Sequence, residues 1–177
     1  RLNEWVAITV VVMSVFLAIG NVKDGNIGQN MALAKADAVD AWNEYQAGRI
    51  KLHMDEDMLA QLKLNMVAAG ADRTAISAEM TRLQKQIDKY VAKSGGLMKK
   101  AQANEALYEK LNLHDDQFDM SEALLSIAMA LAAVAALTAI EWVLIVGWVF
   151  GGFGLLMGTA GFLGWSLHPD FLARMLG

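Results

Sequence analysis

Apolar and polar positions are sharply segregated along this chain. Residues 5–22 carry no charge over 18 positions. Charge is then frequent over residues 23–122, with 13 basic and 16 acidic side chains. It vanishes again over residues 123–140, returns at Glu141, and is absent over residues 142–167. A helix needs about 20 mostly apolar residues to cross the hydrocarbon core of a bilayer. The pattern therefore predicts an all-α membrane protein with three transmembrane helices, within residues 1–22, 121–140 and 142–166. A long extramembrane segment, 23–120, separates the first two, and a short tail, 167–177, follows the third. The flank Gly20-Asn21-Val22-Lys23 lacks a small-x-small cleavage pattern, so the first helix is expected to be an uncleaved anchor. Trp5 opens the first span, and Trp142 and Trp165 bracket the third, as expected for indoles at headgroup level.

The extramembrane segment has a seven-residue rhythm. Met31, Ala38, Tyr45, Leu52, Leu59 and Met66 form one set, and Ala34, Ala41, Gly48, Asp55, Leu62 and Ala69 its partner. Alternating spacings of three and four mark a coiled-coil seam, weakest here at Gly48 and Asp55. A break falls at Ala69-Gly70-Ala71-Asp72, and a second series runs through Ile76, Met80, Leu83, Ile87, Tyr90, Ser94, Leu97, Ala101, Asn104, Tyr108 and Leu111. Ser94-Gly95-Gly96 is expected to kink or split it. The reading is a long antiparallel, coiled-coil-like helical hairpin with its tip near residue 70. Neither arm buries its seam alone, so the arms pack on each other or on further copies of the chain.

The last two spans carry matching stripes of small residues. Gly147, Gly151, Gly154, Gly158 and Gly161 share one face of the third, and Ala128, Ala132, Ala135 and Ala139 one face of the second. In lipid, helices associate through close backbone approach, which such stripes permit. A tight connection around Ile140-Glu141-Trp142 favours packing of the two spans on each other, with a neighbouring subunit as the alternative occupant of the glycine face. Asp119 and Glu122 resemble a capping box opening the second span, and His168-Pro169-Asp170 is expected to end the third. Lys23, Lys35, Lys110 and Arg174 lie on the hairpin side against Arg1 on the other, which points the hairpin toward the cytosol.

Composition narrows the function. The chain is 55% hydrophobic, which excludes a disordered polypeptide, and has no cysteine, which excludes disulfide frameworks and thiol chemistry. A net charge of -4 argues against a nucleic-acid binder. His53 and Asp57 stand four apart on one helix face, and His114-Asp115-Asp116 is a second polar cluster, but a solvated face and a helix break account for them. No nucleotide, metalloprotease or nucleophile-elbow motif occurs. No catalytic residue, metal or cofactor is expected. Trp42 and Tyr45, three apart on one face, are candidates to anchor the other arm, a neighbouring subunit or the lipid surface.

The string Asp40-x-Trp42-x-x-Tyr45-Gln46-Ala47 after an apolar helix, with Ala123-Leu124-Leu125-Ser126-Ile127-Ala128 opening a second, resembles an uncharacterised bacterial membrane protein family numbered 4337 among the domains of unknown function. Gly48-Arg49 stands where many members have Lys, and Glu141 where a basic turn is common. The resemblance implies a multi-pass protein of the bacterial inner (cytoplasmic) membrane and brings no catalytic residues. The expected function is a non-enzymatic homo-oligomeric scaffold or accessory subunit of a larger membrane complex. Its partners would be the lipid bilayer and other membrane proteins, and Trp42, Tyr45 and the five glycines its assembly residues. The alternative is a small transporter or channel component.

Overall fold

The computed structural model describes residues 2–67 and 72–167, and their ordered elements are helical. Helix α1 is Leu2–Asn65, α2 is Arg73–Thr138 and α3 is Glu141–Leu163. Neither long helix contains proline, and each runs unbroken through the boundary expected between apolar span and polar arm. Asp119 and Glu122 therefore lie inside α2 and cap nothing. Gly95 and Gly96 do not split α2 either. A glycine in a helix interior costs about 1 kcal/mol relative to alanine, which the buried seam beside this pair offsets.

The helix ends have identifiable causes. Asp72 Oδ1 accepts hydrogen bonds from the Thr74 and Ala75 N–H groups, each 3.1 Å, and so caps α2. The expected hairpin tip at Gly70 lies outside the described residues. Between α2 and α3 the chain reverses at Ala139, whose φ of 56° is left-handed, and Ile140, which is extended. Ala139 is thus spent on the turn and leaves the alanine stripe. Glu141 opens α3, where its charge suits the positive end of the helix dipole. Gly164, with φ of 69°, ends α3, and the Trp165 N–H returns to Ala160 O at 3.0 Å. The stop therefore precedes the expected His168-Pro169-Asp170, which lies outside the described residues.

The chain divides into two compact units. One is Arg1–Ala32 with Tyr108–Gly177, and the other is Leu33–Leu107. In the first, Val6, Ala132, Ala135, Val143 and Leu144 form one core cluster, Met13, Leu125 and Ala128 a second, and Ile27, Met31 and Phe118 a third. In the second, Leu52, Leu59, Leu83 and Ile87 pack together. The described members of both seven-residue series are buried or half-buried. The rhythm also continues past Met31 toward the N-terminus, through Ile27, Asp24, Gly20, Leu17, Met13, Val10 and Val6, again buried or half-buried.

Candidate functional site

The small-residue stripe of α3 determines how the first unit packs. All five of its glycines are buried. A Cβ at Gly147 would lie 3.2 Å from Ala128 O, and at Gly151 2.0 Å from Met13 Cε. At Gly154 it would lie 2.9 Å from Leu125 Cγ, at Gly158 2.4 Å from Phe16 Cε1, and at Gly161 2.8 Å from Phe118 Cε2. The face expected to receive the second span thus receives α2 and, through Met13 and Phe16, α1 as well. Its neighbours are residues of the same chain. Trp148 Nε1 donates to Thr9 Oγ1 at 2.9 Å, and its ring meets Trp5 edge-on at 6.2 Å.

Polar side chains converge at the opposite end of the same unit. Gln117 is fully buried, and its Nε2 donates to Trp165 O and Leu167 O, both at 2.7 Å. Its Oε1 lies 3.1 Å from His114 Nδ1, which completes its bonding when that nitrogen carries the proton. Gln117 therefore fastens the end of α3 to α2. Nearby, the Asp24 side chain of α1 faces Asp115 of α2, with Asp119 and Glu122 close by. Burial first, then the charges of Asp115 and Asp119, push the Asp24 carboxyl up to about 6 from its ordinary 3.8. Burial and Asp119 also raise Asp115, while the hydrogen bond from Asp24 opposes that rise.

In the second unit, Trp42 and Tyr45 make an edge-on pair at 5.7 Å. Trp42 Nε1 donates to Glu105 Oε1 at 2.8 Å, so the anchor it provides is to the other arm. Glu44 pairs with Lys93 of that arm, which holds its carboxyl below the usual range. Where Gly48 thins the seam, a cavity of about 150 Å³ is lined by Tyr45, Tyr90, Lys51 and Ser94. His53 is exposed and engages Glu56 at 3.1 Å and Arg49 at 3.4 Å, in place of the expected Asp57.

Asp24, Asp115 and Gln117 were not among the expected site residues, although a signal for the first two exists. Asp24 and Asp115 occupy seam positions in the continued three-four rhythm, where an apolar side chain is the rule. Starting the first series at Met31 and ending the second at Leu111 hides them. Gln117 has no comparable signal, because its acceptors belong to a helix end remote in sequence. Among the described residues, no group of three or more His, Cys, Asp or Glu side chains is arranged to hold a metal ion.

These features define a class: an all-helical chain whose three helices are each long and apolar enough to cross a membrane. The chain belongs to the family described as a domain of unknown function, DUF4337, whose model matches residues 2–164. Neither a curated protein nor a solved structure matches it.

Proposed function

We propose that this chain is a non-enzymatic, multi-pass protein of the bacterial inner membrane that works as a homo-oligomeric scaffold or as an accessory subunit of a larger membrane complex. Three apolar helices support the membrane part. Only 22%, 33% and 39% of their most apolar windows is buried within the chain. Ile8, Val11, Val15 and Ile19 of α1, Ile127 and Val134 of α2, and Ile145, Val149 and Phe153 of α3 are all exposed. A surface of that composition is stable against lipid and unstable against water. Between the first two spans the arms run antiparallel, a course supported by the contacts of Trp42 with Glu105, Glu44 with Lys93, and Leu52 and Leu59 with Leu83 and Ile87.

The scaffold reading rests on one observation in the second unit. Its seam is occupied by its own two arms, yet α1 carries a further apolar row facing away from that seam. Ile50, Met54 and Met58 are spaced four apart and are 62%, 65% and 49% exposed. They lie on the opposite side of the helix from Leu52 and Leu59. In a charged segment outside the membrane, such a row suits a partner helix. In this reading the assembly surface is this row, with the Trp42–Tyr45 pair as internal support.

Light scattering on the detergent-solubilised protein tests this. The expected mass exceeds that of one chain, and Ile50→Glu with Met54→Glu reduces it to one chain. The protein should remain with membranes after a high-salt wash, since screening cannot dislodge three apolar helices. A parent particle of one chain in both detergent and nanodiscs, purified without any partner protein, would defeat the scaffold reading.

A further inference from the structure

Asp24 Oδ1 is buried and has no hydrogen-bond partner among the described groups. The side chain within reach is the Asp115 carboxyl, across the contact between α1 and α2. Two carboxyl groups form a hydrogen bond only when one of them holds a proton, because both are acceptors once ionised. The surrounding groups do not provide a substitute. From α1, Lys23 precedes Asp24 and is exposed. From α2 come His114, turned to Gln117, Asp116, bonded by Asn112 at 3.3 Å, and the further carboxylates Asp119 and Glu122. Among the described residues, α3 and the segment after it bring no ionisable group to this level, only the Trp165 and Leu167 carbonyls held by Gln117. One flanking cation thus stands against a cluster of carboxylates.

We propose that Asp24 and Asp115 share a single proton as a pH-sensitive latch between α1 and α2, and that losing this proton loosens the contact. With the proton present, the pair is a short polar bridge inside an otherwise apolar seam. Without it, two negative charges face each other where partial burial weakens their hydration, with Asp119 and Glu122 adding to the repulsion. The two carboxyls then titrate as a coupled pair. The neighbouring contacts carry the effect further. Phe118, three residues from Asp115, packs with Ile27 and Met31 on α1. Its ring also meets Phe162 of α3 edge-on at 5.0 Å and lies under Gly161. Opening the latch therefore frees the Phe118 ring from α1 and relaxes its hold on the end of α3. Burial pushes Asp24 up to about 6, which places the transition near neutral rather than in strong acid.

The chain has no cysteine, so Asn26→Cys and Ala123→Cys, both at exposed positions, provide unique sites for spin labels on the full chain in nanodiscs. The distance distribution between them is measured by pulsed dipolar spectroscopy from about pH 4 to about pH 8. The expected result is a shift to longer distances on the alkaline side, with a midpoint near 6. Asp24→Asn keeps a hydrogen-bond donor toward Asp115 without a titrating proton, and should hold the acid-side distribution throughout. Asp115→Asn is the second, independent variant and should also abolish the transition. Infrared difference spectra should show the carbonyl band of a protonated carboxyl disappearing across the same midpoint in the parent and missing in Asp24→Asn. A distribution unchanged across the range, an unaltered transition in Asp24→Asn, or the absence of the carboxyl band on the acid side would each overturn the latch.

Discussion

A Cβ added at Gly158 would sit 2.4 Å from Phe16 Cε1 and 2.7 Å from Ser121 Oγ, so even alanine forces a neighbour to move. Gly158→Leu adds three more carbons in the same direction and has to separate α3 from both long helices. Overpacking of this kind costs about 1–3 kcal/mol or more. The melting midpoint in detergent, followed by circular dichroism, should fall sharply. Gly152, six residues away, has nothing within 4 Å of the corresponding position. Gly152→Ala should leave the midpoint unchanged or slightly raised. Equal losses at the two positions would show that glycine content, not close approach, matters. Gln117 is the polar counterpart. Gln117→Leu removes both hydrogen bonds to the Trp165 and Leu167 carbonyls, each worth a net of about 0.5–1.5 kcal/mol. That substitution should lower the midpoint and speed proteolysis near residue 164 relative to the parent.

At the scale of the elements, the sequence and the structure agree where periodicity decides and part where local breakers compete with packing. Both seven-residue series place their described members on buried or half-buried faces, because Leu52 and Leu59 of α1 and Leu83 and Ile87 of α2 leave water by packing on each other. The glycine face of α3 was equally legible, since its spacing permits only one stripe. Single residues inside the long helices do not act as stops. Gly95 and Gly96 were expected to break α2, yet the seam on either side, from Ile87 and Tyr90 to Leu97 and Ala101, continues through them. Local propensity amounts to about 1 kcal/mol per glycine and is overruled by a packed stripe many turns long. Likewise, the change from apolar to charged composition near residue 22 does not end a helix. The glycine pair gives a direct check. A Cβ at either position meets nothing within 4 Å. Gly95→Ala and Gly96→Ala should therefore each raise stability by about 0.5–1 kcal/mol, measured by thermal or urea unfolding. Ala139 is the converse case, a side chain in left-handed backbone at the α2–α3 turn. Ala139→Gly relieves about 1 kcal/mol of conformational strain there, and should be tolerated where glycine substitutions within α2 are not.

At the scale of the whole molecule, stability should depend on pH in the direction opposite to that of an ordinary salt-bridged protein. A carboxylate paired with a cation has a lowered pKa and stabilises the fold once it is ionised, so acid unfolds the protein. Glu44 beside Lys93 is of this kind, but it is exposed and its contribution is small. Asp24 is half-buried among other carboxylates, and its pKa lies near 6 when folded against 3.8 ordinarily. Between those two values the folded chain binds more protons than the unfolded chain, so the slope of unfolding free energy against pH is negative. The stabilising contribution of the protonated pair is fully present below about 4, declines as pH rises through about 6, and is absent above. Other groups also titrate over this range, so the quantity to compare is the difference between parent and Asp24→Asn at each pH. The variant carries no charge at this position at any pH. It should be close to the parent in stability on the acid side and more stable above about 6, with the gap opening across the intervening range. Thermal unfolding in the same detergent at both ends of the range reads this gap. A gap that is constant with pH would mean that Asp24 ionises in the folded chain as it does in the unfolded one, and a gap that opens toward acid would mean that its carboxylate is stabilised by a cation in place of the Asp115 carboxyl.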